Sequence, residues 1–287
     1  MNLNRIVVIG AGTMGSGIAQ WFAQQLCSVE LVDNSVTQLH HALEGIHHSW
    51  DKLVEKDKMS AADVQQMKKL ISTKQLNDVS DKADLVIEAI IENLQVKKDL
   101  FKQLDKQFSH NTIIASNTSS FPISLLSEAV SLERKPRFVG LHFFNPATIM
   151  KLVEVIKGEH TDEKLCQDLY QWFDKKDKKP ALCKDSPGFI VNRVARNFYG
   201  EPLRIVEEDD EARMKEVDRI LKTVGGFRMG PFELMDLIGI DVNYSVTTSV
   251  WEAYNKEPRF APHKLQKKLV EEKRFGKKTK RGFYKYD

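Results

Sequence analysis

The stretch RIVVIGAGTMG, from Arg5 to Gly15, decides the fold predicted for this chain. It begins with a short run of apolar, mostly β-branched residues and continues directly into a Gly-x-Gly-x-x-Gly turn. Apolar residues at helical spacing follow, from Ile18 to Leu26. A glycine turn between a strand and a helix is the context in which this pattern marks a dinucleotide-binding site. The stretch therefore predicts the start of a Rossmann-type domain; a glycine-rich turn without a ligand is the alternative.

Each glycine of the turn has a separate physical role in that prediction. Gly10 allows the tight turn, Gly12 lets the backbone approach a pyrophosphate, and Gly15 lets helix and strand pack closely. The N-terminus of the helix presents its first N–H groups and a partial positive charge to the phosphates. The residues predicted to bind the dinucleotide here are Gly10, Gly12, Thr13, Met14 and Gly15.

A second apolar run, Val29 to Val32, ends in an acid, Asp33, which stands 23 positions after Gly10. A carboxylate at this place accepts hydrogen bonds from both ribose hydroxyls and would repel a 2′-phosphate. We therefore expect the cofactor to be NAD rather than NADP.

The composition is that of a globular protein with room for two domains. The chain has 287 residues and a mass of 32.9 kDa, with 41% hydrophobic and 29% charged residues. No apolar run approaches the roughly 20 residues of a membrane span, and no signal-peptide pattern precedes the first strand. The net charge of +3 is too small to indicate nucleic-acid binding. Cys27, Cys166 and Cys183 lack metal spacing and fit free thiols, so we expect a cytoplasmic protein.

The segment from Ser35 to Leu70 is predicted to be helical and is longer than the crossover of a minimal Rossmann unit. We expect a helical insertion that forms a wall for a second ligand. Its histidines have no cysteine or paired acid to complete a metal site; they are His40, His41, His47 and His48. Its lysines suit a polyanionic ligand, although a solvated helix face is the simpler explanation; they are Lys52, Lys56 and Lys58.

Two further buried strands are predicted, Ala83 to Ile90 and Thr112 to Ala115, with a helix from Leu94 to Phe108 between them. Glu92 and Ser119 follow these strands. Open α/β sheets bind ligands just beyond the carboxyl ends of their strands, which would place both residues near the nicotinamide half of a dinucleotide. Both residues also suit helix caps, and that alternative stays open.

The stretch GLHFFNPATIMKLVEV, from Gly140 to Val155, contains a histidine and a carboxylate near the ends of two apolar runs. The simplest interpretation is two strands joined at the Asn-Pro pair, which return on each other and bring His142 close to Glu154. A carboxylate on one imidazole nitrogen fixes the tautomer and leaves the other nitrogen to take a proton. A buried histidine paired with an acid for packing alone is the alternative.

The pattern changes after the last predicted strand, Lys179 to Cys183, where Ser-Pro-Gly and then helices follow. The predicted fold class is α/β: a Rossmann-type NAD-binding domain with a helical insertion at 1–184, followed by an all-α domain at 185–287. The first helix of the second domain is expected to be broken or kinked at Pro202. Further helices are predicted at 212–224, 231–238, 241–254 and 262–272. The apolar residues of this domain predict dimerisation through it.

Five motifs together resemble the L-3-hydroxyacyl-CoA dehydrogenase family. In chain order they are GAGTMGSGIAQ, SNTSS, GLHFFNP with KLVEV, KDSPGFIVNR and FGKKTKRGFYKY. The resemblance covers about residues 4–286. It implies an enzyme that oxidises (S)-3-hydroxyacyl-CoA to 3-oxoacyl-CoA with NAD, and a helical domain that forms a homodimer.

The resemblance also implies roles for individual positions. His142 matches the catalytic base, and Glu154 matches the acid that orients it. Ser119 matches a catalytic residue that contacts both the substrate oxygen and the cofactor, and Asn145 and Asn192 match polar residues that help to hold the substrate and the histidine. The positions that match contacts with the cofactor are Glu92, Lys97, Ser119, Asn145 and Lys278. Ser49 and Lys56 match contacts with coenzyme A, which would make the helical insertion a coenzyme A site.

The sequence departs from the family pattern at Leu26, where a glycine commonly closes the first helix. We therefore expect that helix to end without a left-handed cap. The segment Gly225 to Gly239 looks like the version in the 3-hydroxyadipyl-CoA dehydrogenases of phenylacetate degradation. Arg228 would there meet a distal carboxylate; a surface residue or an interdomain ion pair is the alternative. A short-chain substrate, 3-hydroxybutyryl-CoA, is the first expectation. The alternatives are 3-hydroxyadipyl-CoA, a free hydroxy acid, and a non-catalytic NAD-binding sensor or structural protein.

Overall fold

The computed structural model describes residues 1–287. The chain divides into two compact units, Met1–Ser186 and Pro187–Asp287, which we call the N-terminal unit and the C-terminal unit. This division lies two residues beyond the predicted boundary at 184. Each unit has a hydrophobic core of its own and is described by itself.

The N-terminal unit is built on one eight-stranded sheet. Its strands are β1 (Arg5–Ile9), β2 (Ser28–Val32), β3 (Ile71–Lys74), β4 (Leu85–Glu88), β5 (Ile113–Ser116), β6 (Phe138–Phe143), β7 (Leu152–Lys157) and β8 (Lys179–Lys184). Their order in space is β3-β2-β1-β4-β5-β6-β7-β8. Strands β1 to β6 run parallel, β7 returns antiparallel to β6, and β8 is parallel to β7. The chain order reverses between β1 and β4, and an open parallel sheet binds its ligands at such a point.

Six α-helices connect these strands. They are α1 (Thr13–Gln24), α2 (Val36–Glu55), α3 (Ala61–Leu70), α4 (Leu94–Gln107), α5 (Ile123–Ser127) and α6 (Glu163–Lys175). Helices α2 and α3 form the predicted helical insertion and lead from β2 to the edge strand β3. The sequence pattern does not reveal β3, because this strand has four residues of which only Ile71 is buried, and so lacks an apolar alternation.

An aromatic cluster joins α1, α6 and the sheet. Phe22 of α1 stacks on Trp172 of α6, with their ring centroids 5.7 Å apart. Phe143 of β6 packs edge-on against Phe22 and Phe173. Side chains alternate along a strand, so Phe143 in this cluster directs the neighbouring His142 to the opposite face of the sheet.

The C-terminus of α1 differs from the prediction. Leu26 has a φ of 64°, so the helix does end on a left-handed residue, although that residue is not glycine. The N–H of Leu26 donates to the carbonyl oxygen of Ala23 at 3.0 Å. The N–H of Cys27 donates to the carbonyl oxygen of Phe22 at 3.2 Å. These two bonds form a Schellman motif, which satisfies the last carbonyls of the helix and offsets the steric cost of the leucine.

The C-terminal unit is helical, as predicted. Its helices are α7 (Val191–Val206), α8 (Glu211–Thr223), α9 (Pro231–Ile238), α10 (Ile240–Ala253) and α11 (Lys264–Glu271). Helix α7 runs through Pro202 as one element, so a break at this residue is wrong. The helix ends before Glu207, whose φ is 63°, and Asp210 then caps α8 by accepting the N–H groups of Ala212 and Arg213.

None of the helices combines the length and the apolar character that crossing a membrane requires. No group of three or more histidine, cysteine and acidic side chains is arranged to hold a metal ion. The three cysteines are buried and form no disulfide.

Candidate active site

The glycine turn between β1 and α1 is shaped by contacts that exclude side chains. Gly10 has a φ of 103°, and a Cβ built on it would lie 2.5 Å from the carbonyl oxygen of Ala89. A Cβ on Gly15 would lie 1.7 Å from the carbonyl oxygen of Gly10, whereas a Cβ on Gly12 would meet no atom within 4 Å. Gly10 and Gly15 are therefore needed for packing. Gly12 keeps open the space that the pyrophosphate of a ligand would enter.

The carboxylate of Asp33 holds the turn from the end of β2. Its Oδ2 accepts the N–H of Ala11 at 2.8 Å, and its Oδ1 accepts the N–H of Ser35 at 2.9 Å. Gln38, in the first turn of α2, donates from Nε2 to the carbonyl oxygen of Ala11 at 2.8 Å. These bonds fix the carboxylate beside the glycine turn, where ribose hydroxyls would meet it.

A cleft of about 540 Å³ opens beside these residues. Its wall includes Gly12, Asp33, Asn34, Ala89 and Val96. The open space over Gly12, the N-terminus of α1 and the carboxylate of Asp33 match the phosphates and a ribose of a dinucleotide. The residues of the N-terminal unit therefore fit NAD.

A buried salt bridge connects the end of β4 to α4. Glu88 is fully buried, and Lys97 is 1% exposed. The ammonium of Lys97 contacts Glu88 and, at 3.1 Å, Glu92. Ser116 of β5 donates from Oγ to Glu88 at 2.6 Å. Lys97 is thus held between two carboxylates, and its predicted contact with the cofactor stays a prediction. Sequence reasoning missed Glu88, whose only signal is an acid inside the apolar run 83–90.

Glu92 holds the turn that carries Ser119. Its Oε1 accepts the hydroxyls of Thr118 at 2.6 Å and Ser120 at 2.7 Å, and the N–H of Ser119 at 3.1 Å. Burial opposes the ionisation of Glu92, but the Lys97 ammonium and the two hydroxyls outweigh burial and hold the pKa of Glu92 below its ordinary value. An ionised Glu92 keeps the turn fixed at the carboxyl ends of β4 and β5.

His142 and Glu154 face each other across β6 and β7, which pair antiparallel with these two residues in register. Nδ1 of His142 and Oε2 of Glu154 are 2.6 Å apart. Glu154 is fully buried, and His142 is 7% exposed. A carboxylate oxygen accepts in such a bond, so the donor is an N–H group at Nδ1 and Nε2 is the second nitrogen of the ring. The predicted pairing of the two side chains across two strands is confirmed.

Asn117 connects the strand of His142 to β5. Its Oδ1 accepts the N–H of Phe143 at 2.8 Å, and its own N–H donates to the carbonyl oxygen of Glu88 at 2.8 Å. The ring of Phe144 lies 4.5 Å from the imidazole of His142, measured between centroids. Asn145 follows at once, in the connection to β7. Sequence reasoning gave Asn117 no role, although its place just beyond β5 was a usable signal.

The residues predicted to bind coenzyme A lie on α2. Ser49 accepts from Nε2 of Gln20 at 3.1 Å, and Lys56 caps the C-terminus of the helix. They are seven positions apart, which places them on one face of the helix, two turns apart. Their contacts with coenzyme A stay predictions.

Two predicted site residues lie in the C-terminal unit. Asn192 is in the first turn of α7, and its carbonyl oxygen accepts from Nε of Arg196 at 3.0 Å. Lys278 forms an ion pair with Asp241 at 2.6 Å. The predicted contacts of Asn192 with the substrate and of Lys278 with the cofactor stay predictions.

The fold and the site define a class of protein. A glycine turn with an acid beyond the second strand suits NAD, and a histidine held by a buried carboxylate in the same sheet suits proton transfer. A protein that combines the two belongs to the NAD-dependent dehydrogenases.

Within this class, the chain belongs to the 3-hydroxyacyl-CoA dehydrogenase family. Residues 5–186 match the family model described as "3-hydroxyacyl-CoA dehydrogenase, NAD binding domain". Residues 188–286 match the model described as "3-hydroxyacyl-CoA dehydrogenase, C-terminal domain". The resemblance stated from the five motifs is confirmed.

Similar proteins cover the chain from end to end. The mitochondrial hydroxyacyl-coenzyme A dehydrogenase of Sus scrofa is 42% identical in an alignment of 290 positions that covers 99% of this chain and 91% of the relative. The 3-hydroxyadipyl-CoA dehydrogenase of Escherichia coli is 43% identical over 99% of this chain, which spans 59% of the length of that relative. The crystal structure of (S)-3-hydroxybutyryl-CoA dehydrogenase from Ralstonia eutropha superposes with a TM-score of 0.92, at 33% identity and over 100% of both chains.

The family makes the chain an NAD-dependent oxidoreductase that acts on 3-hydroxyacyl-CoA thioesters. The expected α/β class, with a Rossmann-type domain followed by a helical domain, is confirmed with it. The alternative of a non-catalytic NAD-binding sensor is therefore set aside.

Proposed function

We propose that His142 is the base, and Glu154 the acid that orients it, in the oxidation of (S)-3-hydroxyacyl-CoA to 3-oxoacyl-CoA. The observation that carries this proposal is the 2.6 Å contact between Nδ1 of His142 and Oε2 of Glu154, two buried groups in register on β6 and β7. A carboxylate in this position fixes the tautomer of the imidazole and stabilises the imidazolium.

In the forward direction, Nε2 of His142 takes the proton of the 3-hydroxyl group while the C3–H bond breaks and the C3–O bond becomes a carbonyl. NAD held at the glycine turn and Asp33 would supply the acceptor for the hydride, which leaves with both electrons of the C3–H bond. His142 then carries the proton as imidazolium, which Glu154 stabilises until solvent removes it. In the reverse direction His142 donates this proton to the 3-oxo group.

The remaining predicted residues receive binding and positioning roles in the same proposal. Glu92 holds the turn of Ser119 by three hydrogen bonds, which supports a role for Ser119 between substrate and cofactor. Asn192 is proposed to act on the substrate. The further proposed contacts with NAD are Glu92, Lys97, Asn145 and Lys278, and those with coenzyme A are Ser49 and Lys56.

The variant His142→Gln tests the role of the base. General acid–base catalysis contributes ~10²–10⁴-fold, so we expect kcat to fall by that factor while the Kd for NADH, measured by fluorescence, changes less than about twofold. His160→Gln is the matched control, because His160 is exposed on a loop of the same unit. A His142→Gln enzyme with near-full activity would refute the assignment.

We propose a short-chain substrate, 3-hydroxybutyryl-CoA. The similarity to the Ralstonia eutropha enzyme, whose name includes this substrate and which matches over the full length of both chains, supports it. The test compares kcat/KM for the thioesters of 3-hydroxybutyrate and 3-hydroxyadipate, with free 3-hydroxybutyrate as the negative control. A higher kcat/KM for the adipyl thioester would overturn the proposal.

The second candidate substrate is 3-hydroxyadipyl-CoA. It is favoured by the similarity to the Escherichia coli relative of that name and by Arg228, an exposed guanidinium between α8 and α9. A hydrogen bond to a charged group contributes ~1.5–3 kcal/mol. If this candidate holds, Arg228→Met lowers kcat/KM for the adipyl thioester about 10- to 100-fold and leaves the butyryl thioester unchanged. Arg213→Met, at another exposed arginine of the unit, is the control.

We also propose that the chain forms a homodimer through its C-terminal unit. Several large apolar side chains of this unit are more than two-fifths exposed, which supports a covered surface there. The expected cytoplasmic location stays a prediction, and the name of the Sus scrofa relative places that protein in mitochondria.

A further inference from the structure

Lys178 is a buried lysine that the reaction, as proposed, does not use. It lies between α6 and β8 and is 2% exposed. Its backbone N–H donates to the carbonyl oxygen of Phe173 at 3.1 Å, which closes the end of α6. The side chain then runs through the core toward the connection between β6 and β7, residues 144–151, which we call the 144–151 loop.

The ammonium of Lys178 binds the 144–151 loop at two points. Its Nζ donates to the carbonyl oxygen of Ala147 at 2.6 Å and to that of Met150 at 2.7 Å. It also lies 4.7 Å from the ring centroid of Trp21 and 5.8 Å from that of Phe143. Two carbonyl oxygens and two aromatic faces thus surround the charge.

Burying the ammonium of Lys178 costs desolvation free energy, so packing alone is a poor explanation for a lysine at this position. A buried ammonium loses its hydration, and the surroundings of Lys178 offer carbonyl dipoles instead of a carboxylate partner. Burial lowers the pKa of Lys178 to about 8, and the neighbouring Asp177 opposes that shift only in part. A methionine would fill the same space without the desolvation cost. The N–H donors of the ammonium, which bind the two carbonyl oxygens, therefore explain the lysine at this position.

The 144–151 loop connects the strand of His142 to that of Glu154 and carries Asn145. Within it, Ile149 and Met150 both donate to the carbonyl oxygen of Pro146, at 3.0 and 2.9 Å. Ala147 is buried against Gly17 of α1, the helix that begins at the glycine turn. The loop therefore lies between the histidine and the helix that the phosphates of the cofactor would meet.

The far end of the loop is attached to the same turn as Lys178. Lys151 forms an ion pair with Asp177 at 2.9 Å, and its carbonyl oxygen accepts the N–H of Lys179 at 2.8 Å. The Lys151–Asp177 pair is exposed, and exposed pairs contribute little free energy. The buried contacts of Lys178 are thus the main side-chain attachment of the loop from this turn.

We propose that Lys178 is a positioning residue: its ammonium fixes the 144–151 loop, so that Asn145 holds the cofactor and His142 keeps its place beside it. The proposal rests on the proposed function, in which Asn145 contacts NAD. Lys178 acts in this proposal through its contacts with the loop and not on the substrate or the cofactor.

The test compares Lys178→Met with Lys178→Gln. The two new side chains have the same length, and only glutamine keeps N–H donors. We expect Lys178→Met to raise the Kd for NADH and the KM for NAD about tenfold and to leave the KM for the acyl-CoA within about twofold. Lys178→Gln is expected to recover most of the loss. The control is Lys176→Met, which removes a lysine of the same turn that donates to Gln25 instead of the loop, at 3.4 Å.

A double-mutant cycle tests whether Lys178 acts through the loop. In an Asn145→Ala background, Lys178→Gln or Lys178→Met should weaken NADH binding by less than about twofold further, because the group that the lysine positions is gone. Fully additive losses would overturn the proposal, as would a folded Lys178→Met enzyme with unchanged NADH affinity.

Two further results would also overturn it. Equal losses in Lys178→Met and Lys178→Gln would show that chain length matters and donors do not. Failure of both variants to fold, judged by circular dichroism, would show that the whole fold needs the lysine. Because NADH binding is measured without turnover, these outcomes are distinct from a failure of the proposed function, which His142→Gln reports through kcat.

Discussion

At the scale of single residues, the proposed action of the His142–Glu154 pair depends on the charge of Glu154 as well as on the position of the two side chains. The antiparallel register puts the two side chains opposite each other, and burial removes the water that would weaken their attraction. A neutral acceptor in place of Glu154 would still hold the imidazole but would not stabilise its protonated form. Orientation and charge can therefore be separated by experiment.

Glu154→Gln makes this separation, because it keeps the size of the side chain and a hydrogen-bond acceptor but removes the charge. A hydrogen bond to a charged group contributes ~1.5–3 kcal/mol, so we expect kcat to fall about 10- to 100-fold with an unchanged Kd for NADH. Steady-state kinetics and NADH fluorescence check this. Glu128→Gln, at an acid that is 60% exposed and paired with Lys98, serves as the control. Wild-type kcat in Glu154→Gln would mean that the acid is present for packing alone.

The site residues that lie inside contiguous motifs could be predicted from the sequence. The residues that hold them in place could not. The glycine turn, Asp33 and the histidine–carboxylate pair stand at spacings that chemistry dictates, and two neighbouring strands bring the pair together. The ammonium of Lys178 binds the carbonyl oxygen of Ala147, a residue 31 positions earlier in the chain. Contacts of this kind between distant residues leave no periodic pattern in the sequence. Residues such as Lys178 take their partners from tertiary packing, which a single sequence does not reveal.

At the scale of elements, the end of α1 shows that hydrogen bonding can impose a conformation on an unsuited residue. Leu26 has a φ of 64° and is 61% exposed, so it gains little from burial at this place. The prediction of an end without a left-handed cap rested on the residue alone. It failed because the carbonyls of the last turn are satisfied by the N–H groups of Leu26 and Cys27, which a left-handed conformation at Leu26 brings within reach.

Leu26→Gly should consequently stabilise the N-terminal unit. Removing the left-handed strain gains ~1–2 kcal/mol, and the added freedom of the unfolded chain costs ~0.5–1 kcal/mol, so we expect a net gain of ~0.5–1 kcal/mol. Urea unfolding followed by tryptophan fluorescence measures the free energy, since Trp21 lies on the same helix. Leu132→Gly, at a leucine that is 75% exposed and lacks a positive φ, should destabilise instead. A loss of stability in Leu26→Gly would contradict the argument.

Helix α7 and strand β3 show what a local sequence pattern fails to predict. Helix α7 continues through Pro202, which is buried beside Leu203 on the face that packs into the core of the C-terminal unit. The edge strand β3 forms because β2 offers it a parallel partner, in spite of a polar sequence. Both cases need a neighbouring element, so a single sequence predicts the helix and the sheet but not these details.

At the scale of the whole molecule, the two units use their apolar residues differently. The N-terminal unit buries an aromatic cluster between its helices and its sheet. Each unit exposes nine large apolar side chains, but the C-terminal unit does so within 101 residues and the N-terminal unit within 186. Those of the C-terminal unit that are more than two-fifths exposed include Val194, Ile205, Ile220, Val224, Phe227, Leu237, Ile238 and Val242. Where such side chains form a contiguous patch, the patch marks a place where another protein binds. A second copy of the chain is the partner that the sequence predicts.

A charge in place of one of these exposed apolar side chains should separate the copies. Val194 is 63% exposed on α7, so Val194→Glu disturbs no core and places a carboxylate where an interface would exclude water. We expect sedimentation velocity at micromolar concentration to give twice the chain mass of 32.9 kDa for the wild type and the chain mass for Val194→Glu. Leu132→Glu, an equally apolar and 75% exposed position in the N-terminal unit, should stay dimeric. Sedimentation of the wild-type protein at the mass of one chain would contradict the proposed dimer. The exposed apolar residues of the C-terminal unit would then need another explanation.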